Sequence, residues 1–168
     1  MLDAVTRSGP VVLCFDGSED ARRAIEQAGR LLAPRPAVVL TVWEAARDLT
    51  VLDPVGDAVG RLSGISAELD EAGLQTARDV AQHGAQLARD AGFEPRARVE
   101  CGPVWRTIVA AAADEDAATI VVGARGLSRA AAALGSVSAR VSRHAGRPVL
   151  VVPPAGDQAA EPGAPPAA

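Results

Sequence analysis

The sequence predicts an α/β fold, an open parallel sheet of five strands with helices on both faces. Two observations carry this. The strand-like runs are apolar along their whole length instead of alternating, which marks strands buried on both faces. Helix-like patterns stand between successive runs, giving the order β-α-β-α-β-α-β-α-β of a doubly wound sheet. The length of 168 residues suits one compact domain.

The first strand is expected at 10–16, PVVLCFD, and the second at 37–43, AVVLTVW. The third, ARVEC at 97–101, is the weakest. ATIVVG at 118–123 and PVLVVP at 148–153 complete the five. Ser18 can cap the first helix, with Glu19 and Asp20 at its positive end and Ala21, Ile25, Ala28 and Leu32 on one face. A long helix is expected from Ser66 to Ala91, with Leu69, Ala77, Val80, Gly84 and Leu87 inward and Gly92 as its stop. Pro103 suits the first turn of a third helix through Val104, Ile108 and Ala112. Ser136 can cap a fourth, with Val137 and Val141 inward and Gly146 ending it. Residues 45–64 read as a loop with one Pro and three Gly. Residues 1–153 are expected to form the single domain, and 154–168, rich in Pro, Ala and Gly, a disordered tail.

Composition excludes several chemistries. All 17 basic residues are Arg, so neither a P-loop lysine nor a Schiff-base lysine exists. A net charge of −4 argues against a dedicated nucleic-acid binder. Cys14 and Cys101 are far apart and read as small buried apolar residues rather than a disulfide or redox pair. His83 and His144 have no partner at metal-ligand spacing. No basic-then-apolar leader and no run of eighteen apolar residues occurs, so the expectation is a cytoplasmic protein with no membrane partner.

In an open parallel sheet, ligands sit beyond the carboxyl ends of the strands, where the strand order reverses. With the order 3-2-1-4-5, the first and fourth strands are neighbours across that point. The first ends at Asp16, in FDGSED; the fourth runs into GARGLSRAAAALGS at 123–136. Gly123 and Gly126 let backbone approach a ligand with no Cβ in the way. Gly135 and Ser136 open a helix, whose free N–H groups favour an anion. Between Ala117 and Gly156 there is no acid, while Arg125, Arg129, Arg140, Arg143 and Arg147 are present. That suits a phosphate, although Arg140, Arg143 and Arg147 read rather as an ordinary solvated face. Asp16 can accept hydrogen bonds from ribose hydroxyls or a base edge.

VVLCFDGSEDARRAI and VVGARGLSRAAAALGSVSARVSRHAGRPVLVV, at their spacing, resemble the universal stress protein family over residues 10–153. The resemblance implies a Rossmann-like sheet of the adenine nucleotide alpha hydrolase type. The ATP-binding members are similar in carrying G-x2-G-x9-G-[S/T]. Carried over by position, Asp16 would contact the ribose or adenine, and Val42 would offer its backbone to the adenine. Val122, Gly123, Gly126, Gly135, Ser136 and Val137 would wrap the ribose and phosphates. The spacer between Gly126 and Gly135, LSRAAAAL, has eight residues where the pattern has nine.

The resemblance implies ATP as the ligand, with any Mg²⁺ held mainly by the phosphates, and a homodimer through the edge strand 148–153. The leading expectation is an ATP-binding stress-response protein. Two alternatives stay open: a non-ATP-binding interaction module of the same fold, and a slow ATPase. Apart from Asp16, no general base adjoins the glycine segment, so binding without efficient turnover is expected.

Overall fold

A computed structural model describes residues 9–45, 59–124 and 135–154, the side chains of 59–67 excepted. Five strands alternate with four helices: β1 (Val11–Cys14), α1 (Glu19–Leu32), β2 (Pro36–Trp43), α2 (Val59–Asp90), β3 (Glu94–Cys101), α3 (Val104–Asp114), β4 (Thr119–Gly123), α4 (Ser136–His144) and β5 (Val149–Val152). All strand pairs are parallel, in the order β3-β2-β1-β4-β5. The expected fold class and strand order are therefore those of the molecule.

Alternation along the central strands divides the core in two. Val11, Leu13 and Phe15 of the first strand segment face Ala24, Ile25 and Ala28 of α1 and Ala85 and Ala88 of α2. Val12, with Val38, Leu40, Ile120 and Val122, faces Ile108, Ala111 and Ala112 of α3 and Val141 of α4. Period-2 side chains on strands apolar at every position thus feed two separate layers. Alanine is the usual helical contribution, so the helices lie close to the sheet.

The first helix begins as expected: the Ser18 hydroxyl accepts from the Ala21 N–H at 3.2 Å, and Glu19 and Asp20 occupy the first turn. α2 runs 32 residues, about 48 Å at 1.5 Å per residue, and so takes in the end of the stretch read as a loop. Gly84 faces the core so closely that a Cβ there would lie 2.6 Å from the Phe15 ring and 2.8 Å from Val39. Leu69 corrects the inward face expected for this helix, being 57% exposed. Gly73, one turn later, already abuts Trp43, the last residue of β2; at Leu69 the helix has passed the end of the sheet.

Smaller corrections follow the same logic of element ends. Pro103 is the N-cap of α3 and not inside its first turn. Gly135, not Ser136, is the N-cap of α4. Cys101 closes the outermost strand and is exposed, unlike the buried residue expected from its strand setting. Arg147 does not belong to a solvated face: its guanidinium donates to the carbonyls of Ala112 and Ala117, 2.7 Å each, at the end of α3.

The two sheet edges differ. β3 carries Glu94, Arg96, Arg98 and Glu100 at alternate positions. Arg98 reaches Glu100 at 2.8 Å, Glu115 at 2.6 Å and Asp114 at 3.1 Å, and Arg96 pairs with Glu115. β5 is VLVV. Residues 155–168 of the expected tail lie outside the described residues.

Candidate functional site

Beyond the carboxyl ends of β1 and β4 lies a cleft of about 300 Å³. Of the sequence-predicted residues, Asp16, Val42, Val122, Gly123, Gly135, Ser136 and Val137 all line it. Gly126 lies outside the described residues, as do Arg125 and Arg129. The topology explains the convergence. Adjacent parallel strands β1 and β4 leave in opposite senses of winding, and the gap between their following segments opens at that point.

Each wall is built locally. The Phe15 N–H donates to the Leu40 carbonyl at 2.9 Å, prolonging the ladder one residue past β1. The Thr41 hydroxyl, itself buried, donates to the Phe15 carbonyl at 2.9 Å. The chain then turns at Gly17, whose φ of 81° is in the glycine-favoured region. One Asp16 carboxylate oxygen accepts from the Ser18 N–H at 2.9 Å, which orients the exposed side chain at the cleft mouth.

The opposite wall is the junction of β4 and α4. The Ala124 N–H donates to the Val152 carbonyl and the Ala124 carbonyl accepts from the Gly135 N–H, both at 2.7 Å. Ser136 is the first residue of α4 and is exposed at the cleft. Ser138 is buried, and its hydroxyl lies 3.0 Å from the carbonyls of both Ala124 and Gly135. Sequence reasoning passed over Ser138. Its signal was available: a serine two residues into an expected helix, next to the glycine segment.

The floor is apolar, made by Leu40, Val42, Val104 and Ile108 with Cys14. Among the described residues, Asp16 is the one charged side chain in the lining. Burial pushes the Cys14 thiol up to about 12, and the nearby Asp16 charge pushes the same way. Cys14 therefore stands in the floor as a neutral thiol. An apolar slot, a carboxylate at one side and a helix N-terminus with hydroxyls at the other together suit a flat apolar group joined to polyol and anion.

Among the described residues, no three His, Cys, Asp or Glu side chains converge as a metal site, and no helix is long and apolar enough to cross a membrane. His83 packs edge-on against Phe15, with ring centroids 5.7 Å apart, and His144 stacks on Trp105 at 5.0 Å.

Solved structures share this architecture. A hypothetical protein solved as a test case of structural genomics aligns with a TM-score of 0.72 at 22% identity, over 88% of this chain and 97% of that one. The universal stress protein of Archaeoglobus fulgidus in complex with dAMP aligns at 0.58 and 22% identity, over 86% and 97%. A universal stress protein family protein of Arabidopsis thaliana with AMP bound aligns at 0.58 and 16% identity, over 92% and 97%. No curated protein matches the chain. The model of the universal stress protein family matches residues 8–153, which take in all five strands and all four helices, and the chain belongs to that family.

Proposed function

We propose that the chain is an adenine-nucleotide-binding universal stress protein, with ATP as its ligand and stress-response regulation as its role. The observation that carries this reading is one cleft lined from both sides of the switch point, by Asp16 and by Gly123, Gly135 and Ser136. In this reading the adenine lies on the apolar floor, where Val42 offers backbone polar groups. Asp16 takes the ribose hydroxyls, its orientation set by the Ser18 N–H. The phosphates lie toward the start of α4, where free N–H groups and the helix dipole favour negative charge. Gly126, outside the described residues, is assigned to the same ligand by its place in the glycine pattern. The AMP and dAMP held by proteins of the same fold support the choice of nucleotide.

The residues present fit such a ligand. Any Mg²⁺ would be held mainly by phosphate oxygens, since Asp16 is the one carboxylate in the described lining. The same scarcity of titratable groups supports binding without efficient turnover. The protein acts in the cytoplasm and pairs as a homodimer through residues 148–153, whose apolar strand lies at the sheet edge.

Calorimetry with ATP, ADP and AMP tests the reading. Saturable heat is expected, weakened at least about tenfold by Asp16→Ala and by Gly123→Val. No heat and no thermal shift at millimolar nucleotide would overturn it.

A further inference from the structure

We propose that Ser138 is a positioning residue for the phosphate side of the cleft, acting through Ala124 and Gly135. This deepens the nucleotide reading and rests on it. Ser138 is 3% exposed, and its hydroxyl oxygen lies 3.0 Å from each of two carbonyls to which it can donate. Those carbonyls belong to the two residues that bracket positions 125–134. Ala124 leads out of β4 and Gly135 leads into α4.

The hydroxyl is not required to satisfy either carbonyl. The Ala124 carbonyl already accepts from the Gly135 N–H at 2.7 Å, and the Gly135 carbonyl from the Ala139 N–H at 3.0 Å. A buried donor placed on two acceptors that already have partners adds little to polar satisfaction. Its effect is geometric. Through Ala124 it makes a second link across the stem, beside the Gly135–Ala124 bond, and fixes the angle at which α4 leaves it.

That angle determines where the first N–H groups of α4 point; Gly135, Ser136 and Val137 line the cleft, as does Ser138 itself, whose hydroxyl is engaged with the two carbonyls. The nucleoside side is built separately, from β1, β2 and the Phe15–Thr41 bond. Ser138 therefore selects for the anion and leaves the nucleoside contacts alone. Small displacements of an oriented group cost affinity steeply, which is why supporting residues of this kind matter.

The test is Ser138→Ala in the full chain, with two readouts. Without ligand, amide hydrogen exchange at Gly135 should quicken about tenfold, while the β4 amides stay at wild-type rates. With ligand, AMP should bind about tenfold more weakly and adenosine within about twofold of wild type. Unchanged exchange at Gly135 would overturn the stem link. Equal loss of AMP and adenosine, or loss of neither, would overturn the assignment to the phosphate side. If the wild-type protein binds neither probe, the nucleotide reading fails and takes the phosphate assignment with it, while the exchange rate still decides whether Ser138 holds the stem.

Discussion

The hydroxyl of Thr41 donates to the carbonyl of Phe15 across 2.9 Å in the protein interior. This bond joins β2 to the residue just past β1, and the next residue is Asp16. Thr41→Val keeps the shape but leaves the Phe15 carbonyl short of a donor in a low-dielectric setting. The expected cost is about 1–3 kcal/mol in urea unfolding. Nucleotide affinity should also fall, because Asp16 loses its fixed approach. Wild-type stability in this variant would show that the carbonyl finds another donor.

Two helix glycines should resist replacement by alanine. An interior Gly→Ala change ordinarily stabilises a helix by up to about 1 kcal/mol. At Gly84 the new methyl would lie 2.6 Å from the Phe15 ring, and at Gly29 it would lie 2.5 Å from the Ala91 carbonyl oxygen. Overpacking of this kind costs about 1–3 kcal/mol, which outweighs the propensity gain. Both variants are expected to melt below wild type. Gly29→Ala should be the worse, since backbone cannot rotate away as a side chain can.

The two thiols should behave differently. Cys101 is exposed and Cys14 is held as a neutral thiol by burial. At pH 8 a thiol reagent should label one cysteine rapidly, and peptide mapping should place it at Cys101. The folded chain keeps the Cys14 proton above the ordinary value of 9.0, where the unfolded chain releases it. Its contribution to stability is complete below about pH 9 and is lost as pH rises toward about 12. Cys14→Ala should flatten that alkaline decline in thermal melts.

At the other end of the pH scale, Glu115 titrates below its ordinary value. The hydrogen bond from Arg96 is the main cause, opposed by partial burial and helped by a second bond from Arg98. The stabilising contribution is therefore present above about pH 4.5 and is lost as pH falls through the lowered value. Partial burial works against the charged Arg98, but its bonds to the carboxylates of Glu100, Glu115 and Asp114 raise its pKa nonetheless. Glu115→Gln should cost about 1 kcal/mol at pH 7 and less at pH 3, as read from denaturant midpoints.

The fold was legible because period and composition agree. VVLC, AVVL and IVV are apolar at every position, and a sheet buried on both faces is the arrangement that uses them all. The candidate cleft was legible for a related reason: strand order brings Asp16 and Gly123 together once the sheet is parallel. What escaped was decided by tertiary context. Leu69 fits an apolar helical stripe, yet the sheet beneath it ends at Trp43. Arg147 looks like surface charge until the carbonyls at the end of α3 come within its reach. Ser138 carries a local mark, its place next to the glycine segment, but its second partner, Ala124, lies fourteen residues back in sequence and only the fold brings the two together.

The unlike edges of the sheet bear on how far copies of this chain can associate. If two β5 strands meet across a two-fold axis, the combined sheet presents a β3 border at each end. Those borders carry charged side chains at alternate positions, several of them already engaged with α3 and its end. Such a border is a poor template for a further strand. Association by this route would be self-terminating at two copies, with no open end from which a fibre could grow.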